Sequence, residues 1–189
     1  MAKKLLIIII LIIAFALVYL NKEKILSFTA SFDDGIKKLN ELDAKYNVRE
    51  GFLAPGTGEE IISYKSELSN LRKNFEPSQS NDSKALVKVI DIKIALSEMQ
   101  ELLLKAQEQT VKAGIPDCSA NGNINRITRE FEGAITAAEK ASSLNKELKE
   151  GYTSYAKKIE KFTENVEITT TVTADTAREL NTKLKAYCT

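Results

Sequence analysis

Residues 123–166 read NINRITREFEGAITAAEKASSLNKELKEGYTSYAKKIEKFTENV. Ile124, Ile127, Phe131, Ala134, Ala138, Ala141, Asn145, Leu148, Tyr152, Tyr155, Ile159, Phe162 and Val166 follow one another at alternating spacings of three and four. That alternation is the heptad pattern of a helix packed along a seam. It extends weakly through Thr169, Thr173, Ala177, Leu180, Leu184 and Tyr187. A single helix over the whole stretch would reach ~95 Å. Two layouts compete. In one, the chain turns back near Gly151. In the other, it runs on to the β-branched ITTTVT at 168–173 and restarts at Thr176, with Glu179 three residues later.

The two cysteines, Cys118 and Cys188, bear on that choice. Cys118 lies in a loop-like stretch, GIPDCSANGN, and Cys188 is next to last, so neither belongs to an apolar stripe. In an exported domain such a pair reads as a disulfide. A turn near 151 brings Cys188 back to the level of Cys118. A turn near 170 leaves a return arm of about 15 residues, some ~20 Å, too short to reach it. The hairpin at 151 is therefore expected if the bond forms, although the unbroken heptad phase argues for the longer helix.

Upstream of this stretch the pattern is also helical. Phe28, Phe32, Ile36, Leu39, Leu42 and Tyr46 predict a helix over 27–48. Gly51, Pro55, Gly56 and Gly58 mark a loop. Thr57 with Glu60 has capping-box spacing ahead of a helix over 58–76, carried by Ile61, Tyr64, Leu68, Leu71 and Phe75. Pro77 and SQSNDS stop it. Asp82 or Ser83 can cap a helix over 84–113, whose wide apolar face makes it the most buried of the set. Gly114 and Pro116 end it. The last two helices are expected at 123–150 and 152–187. The fold class is thus all-α: an antiparallel bundle of long helices with coiled-coil-like packing, preceded by a transmembrane helix. No strand pattern is convincing.

That transmembrane helix is read from Leu5–Leu20, LLIIIILIIAFALVYL, sixteen apolar residues introduced by Lys3 and Lys4. The run is near the short end of what spans a bilayer, and flanking lysines extend it by snorkelling. A cleaved signal peptide is the alternative, but VYLNKEK offers no small-residue cleavage pattern. The expected division is a cytoplasmic tip at 1–4, a membrane anchor at 5–20 and a soluble bundle at 21–189. The N-terminus is expected inside the cell membrane and the bundle outside, with residues 5–20 as the contact with the lipid bilayer.

Setting aside Lys3 and Lys4 leaves 25 basic residues against 26 acidic ones, so no basic field exists to attract nucleic acid. His is absent, which removes the usual general base and the usual metal ligand. GFLAPGT at 51–57 has the glycine spacing of a phosphate loop but places Thr57 where the lysine belongs. Asp33–Asp34 and Glu59–Glu60 point about 100° apart on a helix and do not converge. No catalytic, cofactor-binding or metal-binding residue is assigned, and no enzyme is expected. Three other features stand out. Asn81, with Asp82 and Ser83, forms a glycosylation triplet. Ala134, Ala138 and Ala141 form a small-residue seam that packs within the bundle or receives a partner helix. Asn145 either sets register in the core or lies at the surface with Leu144 turned inward. The expected role is structural or partner-binding, through another protein or self-association. A ligand-sensing ectodomain working with another membrane subunit is the alternative.

Overall fold

The computed structural model describes residues 32–49, 52–53, 56–77, 80–113 and 115–188. Among these, six α-helices pack against one another: α1 (Phe32–Lys45), α2 (Gly58–Phe75), α3 (Asn81–Lys112), α4 (Asn123–Gly151), α5 (Ala156–Thr163) and α6 (Val166–Ala186). The all-α bundle is as expected. The apolar run at 5–20 and residues 27–31 of the first expected helix lie outside the described residues. No helix among the described residues is long and apolar enough to cross a membrane.

Local chemistry sets the helix ends. Asn47 takes a left-handed backbone, φ 53°, directly after α1, as asparagine tolerates where a helix terminates. Here the chain departs from the strand-free expectation. Val48–Arg49 pairs antiparallel with Phe52–Leu53 in a two-residue ladder. At α2, Thr57 accepts from the Glu60 backbone N–H and Glu60 reaches back to the Thr57 N–H, completing the capping box. Ser80, rather than Asp82 or Ser83, caps α3 by accepting from the Ser83 N–H.

α3 is the spine. Leu86, Val89, Ile90, Ile92, Ala95, Leu96 and Met99 are all buried along it, the widest buried face of the set. It packs antiparallel to α2, marked by Lys65–Glu101 and Arg72–Asp91 at 2.7 Å each. On its other flank it runs antiparallel to α4, where Lys88 meets Glu147 at 2.6 Å. α1 approaches α3 most closely at Gly35. A Cβ there would stand 2.0 Å from Leu86 Cδ2, so any larger residue would force the buried Leu86 side chain to move.

The long stretch turns back at Gly151. Tyr152 leaves the helical region (φ −134°, ψ 45°), and Thr153–Tyr155 forms a 3-10 turn. The single helix expected over 152–187 is therefore two helices, α5 and α6, separated at Glu164–Asn165. ITTTVT lies inside α6 and breaks nothing. α6 then runs antiparallel to α4, with Arg178–Glu139 at 2.6 Å and Lys185–Glu132 at 2.8 Å along its flank.

The heptad phase survives the turn, since Ile159, Phe162 and Val166 are buried as it predicts. It drifts within α6. The heptad continuation places Thr169, Thr173, Ala177, Leu180, Leu184 and Tyr187 inward, whereas the buried residues are Val166, Thr170, Ala174, Ala177 and Asn181. Leu180 and Tyr187 are exposed.

Candidate functional site: the groove at the disulfide end

Exposed Leu180 and Tyr187 open onto a groove. Leu180, Lys183, Leu184 and Tyr187, spaced as one face of a helix, form one of its walls. Leu103, Gln107, Thr110 and Val111 from the end of α3 form the opposite wall, and Phe131 of α4 lies between. The cavity is about 470 Å³ and mostly apolar. Val111 is 80% exposed and Tyr187 74%. Lys183 at the rim is held by Glu179 at 2.6 Å. Lys185 below it holds the Glu132 carboxyl under the usual carboxylate range by hydrogen bonding.

The groove ends at the disulfide. Cys118 and Cys188 are bonded, with Cα atoms 5.5 Å apart across a sequence separation of 70. The bond and the turn at Gly151 occur together, as the reach argument requires. The loop bearing Cys118 is fastened to the start of α4. Asn123 accepts from the Asp117 N–H at 2.9 Å and donates to the Ile115 carbonyl at 3.0 Å. Asn125 donates to the Ser119 carbonyl at 2.8 Å. The Ser119 N–H bonds the Asp117 carboxylate and holds it below its ordinary pKa.

The opposite end of the bundle receives α1. Phe32 stacks near Tyr155 with centroids 4.9 Å apart, and Tyr155 donates to Asp82 at the start of α3. Lys158 pairs with Asp33 at 2.7 Å. Counting along α3, the groove lies on the order of 35–40 Å from this end.

The residues singled out in the sequence are placed as follows. Ala134, Ala138 and Ala141 are buried within the bundle, Ala138 beside Ala174 of α6. Asn145 is buried and donates to the Thr163 carbonyl at 3.4 Å, so the core reading holds. Asn81 is exposed at the first turn of α3, while Ser83 is buried against Ser80. Among the described residues, no group of three or more His, Cys, Asp or Glu side chains comes together to hold a metal.

One charged cluster was missed in the sequence. Lys93 is 3% exposed, and its ammonium lies 2.9 Å from Asp43. Tyr64 donates to the other Asp43 oxygen at 2.6 Å. The Phe162 ring centroid is 5.1 Å from Lys93 and 4.8 Å from Lys161. The cluster joins α1, α2, α3 and α5 at one point. Its sequence signal was Lys93 itself, set among Ile90, Ile92, Ile94 and Leu96 and three to four residues from buried positions. Nothing in the spacing named Asp43 as partner.

Burial pushes the Lys93 pKa down, against the Asp43 carboxylate that raises it, with Lys161 adding to the fall. Burial pushes Tyr64 far above the ordinary tyrosine value, and Asp43 adds to the rise. The two act oppositely on stability. Between its lowered pKa and about 10.5, Lys93 releases its proton more readily folded than unfolded, so its contribution grows as pH rises. Tyr64 stays protonated in the fold while the unfolded chain ionises near 10, so its contribution is present below about pH 10 and is lost above it. Denaturation midpoints measured from pH 9 to 11 should therefore fall more steeply in the wild type than in Tyr64→Phe. Parallel curves would refute the assignment.

No family model, curated protein or solved structure matches this chain.

Proposed function

We propose that this is a single-pass membrane-anchored protein whose helical bundle stands outside the cytoplasm. In this reading it binds a partner protein through the groove and is not an enzyme. One observation carries the proposal: Val111, Leu180 and Tyr187, all exposed, converge with Leu103 and Phe131 into one apolar groove. The surrounding surface is laced with ion pairs. Convergent exposed apolar side chains of this kind mark interaction sites. A groove between helices suits an amphipathic helix laid along it. The apolar run at 5–20 supplies the anchor, and the disulfide favours an oxidising compartment. The groove also lies at the end of the bundle away from Phe32, where the chain arrives from that run.

The test uses the full chain in native membranes, with a photo-crosslinking residue at Val111 or, as control, at Lys73. Val111 should give a discrete adduct with a partner protein, and Lys73 none. External protease should digest the bundle in intact cells. Equal smears at both positions sink the groove reading. A bundle protected until lysis sinks the exported topology.

A second reading is supported by the groove volume, about 470 Å³, which falls in the range of small-molecule sites. The bundle would then be a ligand-sensing ectodomain acting with another membrane subunit. A flat thermal-shift response of the full chain across a broad set of apolar metabolites counts against it.

A further inference from the structure

The groove is floored by α4, where Phe131 belongs to a helix with buried side chains along its length, and walled by two helix ends. The α3 wall is buried only as far as Ala106. On the α6 side, Asn181 is the last buried residue. From Thr182 to Cys188 only Leu184 is even partly covered. Lys183 and Lys185 pair only with surface carboxylates there. Helix ends of this kind have unsatisfied carbonyls and fray unless tied down. The tie is the Cys118–Cys188 bond, and its other end is a ledge clamped by the Asn123 and Asn125 side chains. Both cysteines are exposed, so a small thiol can attack the bond.

We propose that the disulfide is a redox latch on the groove: a dithiol reductant opens it and releases residues 182–188 at the end of α6, which carry Leu184 and Tyr187. Two electrons and two protons pass from the dithiol to the S–S bond. The two cysteines become free thiols and the reductant becomes a disulfide. The groove then loses one wall while the bundle stays folded. The latch rests on the bond and the α6 end alone, independently of which partner or ligand the groove takes.

The test is amide hydrogen exchange on the full chain in detergent, oxidised and after dithiothreitol, with Cys118→Ser/Cys188→Ser alongside. Reduction should speed exchange over 182–188 to nearly unprotected rates, while the core amides of α3 and α4 stay protected at the level set by the reduced protein's global stability. The double variant should show the released pattern with or without dithiothreitol. Trypsin should cut at Lys183 and Lys185 only in the reduced form. Unchanged protection over 182–188 overturns the latch. So does exchange over 182–188 that remains as slow as that of the α3 and α4 core, the two opening together, which would make the bond a staple of the whole fold.

Discussion

Asp43→Ala is expected to lower the stability of the bundle by about 3–5 kcal/mol, because it leaves the Lys93 ammonium buried with no counter-charge. It also removes the acceptor of the Tyr64 hydroxyl, which is fully buried. Removing one partner of a buried pair is far costlier than removing both. Asp43→Asn with Lys93→Met keeps the volumes similar and keeps a carbonyl for Tyr64, so it should recover most of the loss. Urea midpoints of the three proteins make the comparison. A loss below about 1 kcal/mol for Asp43→Ala would mean that water reaches Lys93 and that the cluster is not a dry junction. The effect should concentrate on α1, because Asp43 is the polar contact by which α1 meets the buried face of α3. Exchange over Phe32–Lys45 would then rise more than over α4.

Cys118→Ser/Cys188→Ser is expected to cost about 4 kcal/mol, from the entropy of a closed loop with a sequence separation of 70. This term acts on the unfolded chain, whereas the latch acts on the native end of α6. The two are separable: the unfolded-state effect moves the urea midpoint and steepens the denaturant dependence, since a longer open chain exposes more surface. The latch moves only local exchange. A midpoint shift equivalent to less than about 1 kcal/mol would show that the unfolded chain is already compact enough for the cross-link to add little.

Much of the architecture was readable from spacing. The helix starts and stops follow from short-range chemistry, such as the Thr57–Glu60 box, and those signals act within a few residues. The hairpin at Gly151 was readable only through the reach of Cys188 to Cys118, because the heptad phase by itself pointed past it. The chain beyond Gly151 was less legible. A heptad count assumes a strict 3.5-residue repeat; it still holds for Ile159, Phe162 and Val166 beyond the turn, but along α6 a straight helix of 3.6 residues per turn drifts off it. Leu180 and Tyr187 read as seam positions in the sequence and stand outside in the fold. The groove was therefore invisible until the phase of α6 was known.

The sequence by itself determined that the described chain is helical, where most helices begin and end, and that a strongly apolar segment precedes them, because these depend on local propensity, capping and hydropathy. Tertiary structure alone decided which face of α6 is buried, which carboxylate meets Lys93, and what Leu180, Leu184 and Tyr187 line. Those outcomes depend on residues dozens of positions apart arriving at one place. Asn181 is buried and Leu180 is not because the face of α6 that meets α4 drifts off the heptad count after Val166, and no local signal in α6 records which face its neighbours cover.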